Sequence, residues 1–177
     1  MTEISTGTGT TILGVGNRLL PEDSFGALVV EACEGRLRPG HGRAVQAETR
    51  AAQLLAETLA SERVIYVDAV DCGFPRGFIG SWRWSPRRHC FCPHDLGTKA
   101  TNGQAPPELP AGDGARLLSL HGYGPAHVLL EAHISGWQGV AYLIGAQAAP
   151  DYSQETIARA VEMVLALNDR DKSQDVH

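Results

Sequence analysis

The run RVIYVDAV, residues 63–70, restricts the fold of this chain more than any other segment. Its β-branched and aromatic residues follow one another without the polar alternation of a half-exposed strand. That pattern is typical of a strand buried on both faces. Such strands belong to parallel sheets covered by helices, and the run therefore predicts a layered α/β fold.

Strand-like and helix-like segments alternate around this run, which predicts a three-layer αβα domain with a mostly parallel twisted sheet. A serine at position 153 is expected to cap the last helix. Strands are predicted at 11–16, 43–49, 78–85, 127–134 and 139–147, and helices at 23–37, 51–62 and 153–167.

The length of 177 residues, with 43% hydrophobic content, is sufficient for one core of ordinary size. We expect a single domain at 11–167. Both ends are polar, so residues 1–10 and 168–177 are predicted to be flexible tails.

The net charge of −5 provides no basic excess for binding phosphates. Neither nucleic acid nor a membrane is therefore an expected partner. The first residues, MTEISTGTGTT, lack the pattern of a signal peptide, and the four cysteines are too few for a disulfide framework. These features favour a cytoplasmic protein with free thiols.

The segment GVGNRLLPEDSFG, residues 14–26, begins like a dinucleotide-binding turn but has acids where phosphate would lie. The GxGxxG pattern requires small residues where this chain has Arg18 and Leu19, and no acid ends the second strand at the expected distance. A nucleotide-binding function rests on this turn alone, and we rank it last.

Three residues are predicted to meet at the carboxyl edge of the sheet, where α/β folds bind their ligands. Asp23 follows the first strand, Asp68 lies at the carboxyl end of the 63–70 strand, and His94 lies in the loop after 78–85. Two carboxylates and an imidazole suit a borderline divalent cation such as nickel or zinc.

Each of these residues also has a simpler interpretation. Asp23 could be a first-turn acid or N-cap of the following helix, and His94 an exposed or hydrogen-bonded loop residue. For Asp68 the simpler interpretation is weaker, because a carboxylate ending an apolar strand must be solvated or paired. The prediction rests on convergence of the three.

Other motifs are assigned weaker roles. His89, Cys90, Cys92 and His94 could chelate zinc, but their spacing is unusual, and loop thiols without a metal are favoured. Cys72 is a candidate nucleophile that has no histidine nearby in sequence. Trp82 and Trp84 are predicted to pack together, and the turn with Arg87 and Arg88 to be solvated, although it could meet an acidic substrate tail.

Four segments resemble the NiFe hydrogenase maturation proteases. LGVGNRLLPEDSFGALVVEAC is similar to that family's opening strand, GxGN turn, acidic pair and helix, and IYVDAV to its acid-ended strand. CPHDLG is similar to its histidine loop, and LIGAQAAPDYSQETIARAVEMVL to its closing strand and helix.

The resemblance implies a phosphorylase/hydrolase-like fold and an endopeptidase activity of the aspartyl type. Such a protein removes the C-terminal extension of a nickel-loaded hydrogenase large-subunit precursor. The family's metal-binding and catalytic positions fall on Asp23, Asp68 and His94, and the nickel is supplied by the precursor. No resident cofactor is implied.

Two departures from the family pattern bear on activity. Residues 46–49 are QAET where relatives have Asp-Gly-Gly-Thr, so the cleft near Thr49 is expected to be reshaped. The stretch after His94 is rich in glycine and proline where relatives continue into a helix. A binding module on the same fold, a checkpoint or chaperone that does not cut the precursor, is therefore the alternative function.

Overall fold

A computed structural model describes residues 7–48, 50–96, 106–110 and 123–170. Among these residues no helix is long and apolar enough to cross a membrane. The strands are β1 (Gly7–Val15), β2 (Arg43–Glu48), β3 (Ser61–Val70), β4 (Ile79–Ser85), β5 (Cys90–Pro93), β6 (Leu109–Pro110) and β7 (Val140–Gln147). The α-helices are α1 (Phe25–Glu34), α2 (Ala51–Leu59), α3 (Pro125–Ile134) and α4 (Gln154–Asn168), and a 3-10 helix, Pro21–Asp23, precedes α1.

The described strands form one sheet in the order β2-β1-β3-β7-β4-β5-β6. The first four strands of that order are parallel to their neighbours. From β7 onward each pair is antiparallel. The β3 strand lies between β1 and β7 and is almost entirely buried, which confirms the prediction made from its sequence.

Two apolar cores cover the two faces of this sheet. One core contains Val29 of α1 and Val164 of α4 packed on Ile65. The other contains Leu54 of α2 and Leu129 of α3 packed on residues such as Tyr66. The predicted three-layer αβα architecture is therefore confirmed.

One predicted element is wrong, because residues 127–134 belong to helix α3 and not to a strand. Pro125 occupies the first turn, where its missing N–H breaks no helical bond, and Gly136 follows the helix with a φ of 88°. The buried residues Val128, Leu129 and Ala132 recur at helical spacing. The helix precedes β7 in the chain and packs with α2 in the core on one face of the sheet.

The boundaries of the domain differ from those expected. The first strand begins at Gly7, and Thr10 is buried, so part of the predicted N-terminal tail belongs to the sheet. At the other end Asn168 is the last residue of α4 and is also buried. The remaining tail residues, 1–6 and 171–177, lie outside the described part of the chain.

Several smaller predictions are confirmed. Oγ of Ser153 accepts a hydrogen bond from the Thr156 N–H at 3.1 Å and so caps α4. Trp82 and Trp84 are both buried in the core under α2 and α3. The expectation of a long loop after residue 85 is corrected, because this region contains two short strands, β5 and β6, which extend the sheet beyond β4.

Candidate active site

The glycine turn after β1 makes room for a carboxylate. Gly16 has a φ of 112°, and a Cβ at this position would lie 2.2 Å from the backbone oxygen of Asp23 and 2.8 Å from its Oδ1. The next residue, Asn17, donates its backbone N–H to Asp23 Oδ2 at 2.7 Å. The turn shares its glycines with phosphate-binding loops, but the group that it holds is the carboxylate of Asp23.

Asp23 is brought to the sheet by the short 3-10 helix, which ends at this residue. Helix α1 starts two residues later, with Ser24 at the N-cap position, so Asp23 is not the N-cap. A Cβ on Gly26 would lie 2.2 Å from the Val15 carbonyl oxygen and 2.5 Å from that of Val67. The start of α1 therefore lies directly against the ends of β1 and β3, and Asp23 is only 2% exposed there.

Asp68 lies near the carboxyl end of β3 and is 1% exposed. It is level with Gly145 of the neighbouring strand β7. The chain leaves β1 toward β2 on one side and returns to β3 on the other, so the strand order reverses between β1 and β3. Such switch points are where open α/β sheets bind ligands, and the two acids flank this one.

Tyr152, in the segment after β7, lies beside both acids. Burial, together with the carboxylates of Asp68, Asp23 and Glu22, raises the pKa of Tyr152 to about 12. Its Oη donates to the Glu22 carbonyl oxygen at 2.7 Å, and its ring centroid is 5.1 Å from that of Phe25. Sequence reasoning missed this residue, because no motif marks a tyrosine in a turn as part of a site.

His94, the third predicted site residue, directly follows β5 and has a different environment. Its ring centroid is 5.1 Å from that of Tyr142, and its Nε2 is 2.9 Å from Nη1 of Arg170. Because a guanidinium can only donate, this Nε2 is the acceptor of the contact.

The sheet register separates His94 from Asp68. The N–H of His94 donates to the Ser81 carbonyl oxygen, so His94 is aligned with β4, and β4 and β7 lie between it and β3. Three strand spacings amount to about 14 Å. In addition, alternation along β3 directs Asp68 to the same face as Tyr66, whereas the ring of Tyr142 belongs to the core of the opposite face.

The structure thus places Asp23 and Asp68 near Tyr152 at the carboxyl edge of the sheet, and it aligns His94 with β4. Within the described ranges there is no group of three or more His, Cys, Asp or Glu side chains that could hold a metal ion. The assignment of His94 to the site stays a prediction, and so do the catalytic roles of the two acids.

Gln46 is a second residue that sequence reasoning did not assign to the site. Its Nε2 lies 3.5 Å from the Gly16 carbonyl oxygen, and its buried Oε1 has no hydrogen-bond partner in the part of the chain that the structure describes. A Cβ on Gly14 would lie 2.9 Å from this Oε1. Gln46 therefore packs beneath the turn that holds Asp23.

The backbone is irregular within residues 46–49, where the sequence differs from the family pattern. Glu48 has a φ of 52°, and its carbonyl oxygen accepts the Gly16 N–H at 3.2 Å. The register between β1 and β2 shifts at this point. Thr49, where a reshaped cleft was expected, lies outside the described residues.

The cysteine pair of β5 forms a close contact but does not complete a metal site. The Sγ atoms of Cys90 and Cys92 are 3.5 Å apart, and Arg88 Nη1 is 3.6 Å from the Cys92 sulfur. Burial, together with the neighbouring Cys92, raises the pKa of the Cys90 thiol to about 11. The same arginine forms an ion pair with Glu108 at 2.6 Å.

A groove of about 640 Å³ opens beside β4 and β5, and residues of both strands line it together with the end of α3. Its lining includes Arg83, Arg87, His94 and Trp137. Arg87 and His94 therefore share a cavity.

Cys72 is half-buried, and burial raises the pKa of its thiol to about 11, with Asp71 adding to the shift.

No family model matches the sequence, and no curated protein is a recognisable sequence relative. The comparison with solved structures does find similar proteins. The hydrogenase maturating endopeptidase HybD from Escherichia coli superposes with a TM-score of 0.62, covering 89% of this chain and 90% of that one. Identity between the two sequences is 22%.

The chain has the hydrogenase maturation endopeptidase fold. A hydrogenase 2 maturation peptidase from a Thaumarchaeota archaeon matches at 22% identity and a TM-score of 0.56, covering 90% of this chain and 97% of that one. The [NiFe] hydrogenase maturation protease HycI from Thermococcus kodakarensis matches at 19% identity and a TM-score of 0.57, with 93% and 94% covered. The resemblance found in the motifs is thereby confirmed at the level of the fold.

Agreement over almost the whole of each chain shows that the fold is shared. On this fold the present chain carries an acidic turn after β1 and Asp68 near the end of β3, on the two sides of the switch point.

Proposed function

We propose that this chain is an endopeptidase that removes the C-terminal extension of a nickel-loaded NiFe hydrogenase large-subunit precursor in the cytoplasm. The observation that carries the proposal is the pair of buried acids, Asp23 and Asp68, at the switch point of a fold shared with hydrogenase maturation endopeptidases. Burying a carboxylate costs free energy that pairing or hydrogen bonding must offset, and two such acids near one sheet edge mark that edge as a candidate site.

Nickel enters this proposal as part of the substrate. Carboxylate oxygens and imidazole nitrogen are acceptable ligands for a borderline divalent ion whose other ligands come from the precursor. Asp23 and Asp68 would bind the nickel from one side and so align the precursor's C-terminal segment with the acids. A carboxylate there can also accept the proton of the attacking water.

His94 would be the third group to contact the nickel site. In the conformation described above, its Nε2 is occupied by Arg170. Its participation requires the imidazole to leave Arg170 and Tyr142, so we propose that precursor binding rearranges this histidine. Its place in the groove beside β4 and β5 leaves it accessible to a partner.

The test is incubation of the purified protein with nickel-loaded precursor, followed by mass spectrometry of the precursor. We expect loss of a C-terminal peptide, and a rate about 10²–10⁴-fold lower for Asp23→Asn and for Asp68→Asn. The matched control is Glu22→Gln, which neutralises the exposed neighbour of Asp23 and should cleave at the wild-type rate. Equal rates for all four proteins, or no product with wild type, would refute the proposal.

The alternative is a checkpoint that binds the metallated precursor without cutting it. The distance of His94 from the acid pair favours it, because the three residues do not form one ligand set. Under this alternative, uncut precursor co-purifies with the wild-type protein and its mass never changes. Catalytic turnover, with many precursor molecules cut by each protein molecule, excludes it.

A further inference from the structure

Tyr152 connects the two sides of the acid pair. Its Oη donates to the carbonyl oxygen of Glu22, the residue before Asp23, at 2.7 Å. Its ring lies against Phe25 in the first turn of α1. One side chain therefore holds the 3-10 helix and the start of α1 together.

The segment that carries Tyr152 is itself fixed to the end of β3. The N–H of Ala148 donates to the Val70 carbonyl oxygen at 2.8 Å, two residues beyond Asp68. Ser153, the next residue after Tyr152, caps α4. The position of Tyr152 is thus set by β3 and α4, while its hydroxyl acts on the turn that carries Asp23.

Two further hydrogen bonds hold Asp23 within its own turn. The Asn17 N–H donates to Oδ2, and the Asp23 N–H donates to the Leu20 carbonyl oxygen at 2.9 Å. The start of this turn is tied to β2, because the Gly16 N–H donates to the Glu48 carbonyl oxygen. The Tyr152–Glu22 bond adds a tie from the segment between β7 and α4 at the end of the turn that carries Asp23.

We infer that Tyr152 is a positioning residue that fixes Asp23 relative to Asp68 through its hydrogen bond to Glu22. Tyr152 contacts the backbone of the acidic turn and is not assigned a role in bond cleavage. The structural part of this inference stands on the contacts above, and its catalytic consequence rests on the proposed function.

The first test is amide hydrogen exchange of Tyr152→Phe, which keeps the ring against Phe25 and removes only the hydroxyl. Loss of one hydrogen bond corresponds to about fivefold to tenfold faster exchange at the Asn17 and Asp23 amides. The matched control is Thr11→Val, which removes the buried Thr11–Ser61 hydroxyl contact of 2.6 Å far from the acidic turn. Exchange at Asn17 no faster than in the control would overturn the inference.

The second test is the kinetics of precursor cleavage by the same variants. If Tyr152 positions Asp23, Tyr152→Phe lowers kcat about fivefold to tenfold with KM unchanged, and Thr11→Val leaves both constants at the wild-type values. An unchanged kcat in Tyr152→Phe would overturn the catalytic part. If wild type itself releases no peptide, the proposed function fails, and the exchange experiment still decides the positioning role.

Discussion

Glu48 has a backbone conformation in which glycine is the favoured residue. Its φ of 52° lies in the left-handed region, where a Cβ costs about 1–2 kcal/mol. Its side chain contributes an exposed ion pair with Arg50 at 3.1 Å, and such pairs contribute little. The residue therefore keeps a strained position next to the turn that holds Asp23.

The strain can be measured with two substitutions that both remove the carboxylate. We expect Glu48→Gly to be more stable than Glu48→Ala by about 1 kcal/mol, because only glycine adopts this φ without a steric penalty. Urea denaturation at equal protein concentration measures the difference. Equal midpoints for the two variants would show that the backbone relaxes at this position and stores no strain.

The environment of Cys72 argues against a role as nucleophile. Burial raises the pKa of its thiol to about 11, with Asp71 adding to the shift, so the reactive thiolate is scarce at neutral pH. We expect Cys72→Ala to cleave precursor at the wild-type rate, measured in the mass assay. A loss of activity as large as that of Asp23→Asn, in a variant with an unchanged melting temperature, would reinstate the thiol.

The sequence predicted Asp23 and Asp68 as site residues, and the structure shows both acids buried near the carboxyl edge of the sheet, but the residues that pack around them were missed. Asp23 and Asp68 were predictable because each follows from local pattern, a glycine turn after a strand and an acid at a strand end. Tyr152 and Gln46 depend on contacts between segments far apart in sequence, which no local motif encodes. The position of His94 depends on the register of β5 against β4, and the sequence did not predict β5.

At the scale of the elements, α4 offers the clearest local determinant. Its N-cap Ser153 accepts the Thr156 N–H and also contacts the Thr156 hydroxyl at 2.9 Å. We expect Ser153→Ala to lower the free energy of unfolding by about 1 kcal/mol, measured by urea denaturation. Ser135→Ala, at the C-terminal end of α3, is the control and should change it by less than about 0.5 kcal/mol. Equal effects would mean that the cap bond contributes nothing.

Helix α3 shows why one element could not be assigned from its own residues. A short apolar run such as VLLEAHI fits both a buried strand and a helix, and periodicity alone does not separate them. The deciding signals were at its ends, Pro125 in the first turn and Gly136 just beyond the last. The remaining predicted elements were longer or had clearer patterns, and the structure confirms them.

For the whole molecule, the order of elements contained most of the topology. Alternating strands and helices predict parallel neighbours, and the reversal between β1 and β3 then follows from two crossovers in opposite directions. Strand β4 was predicted, but its antiparallel extension through β5 and β6 was not, because short strands in a Gly-rich and Pro-rich region resemble a loop. The same extension determines where His94 lies.

Several protonated groups buried in the core link the stability of the whole molecule to alkaline pH. Burial raises the pKa of the Cys33 thiol from 9.0 to about 11, with Arg36 opposing the shift. Burial likewise raises the pKa of Tyr66 and, as described above, that of Tyr152. All of these groups bind their protons more tightly in the folded chain than in the unfolded one.

We therefore expect the free energy of unfolding to be constant up to about pH 9 and to fall at higher pH, because the unfolded chain releases these protons first. The Cys33 contribution is complete below pH 9.0 and is lost as the pH approaches about 11. Urea denaturation at several pH values measures the slope. Cys33→Ala removes one such proton and should make the slope between these limits shallower by about 1 kcal/mol per pH unit. An unchanged slope in this variant would show that Cys33 ionises equally readily in the folded and unfolded chains, and that its burial on the core-facing side of α1 does not contribute to the alkaline loss of stability.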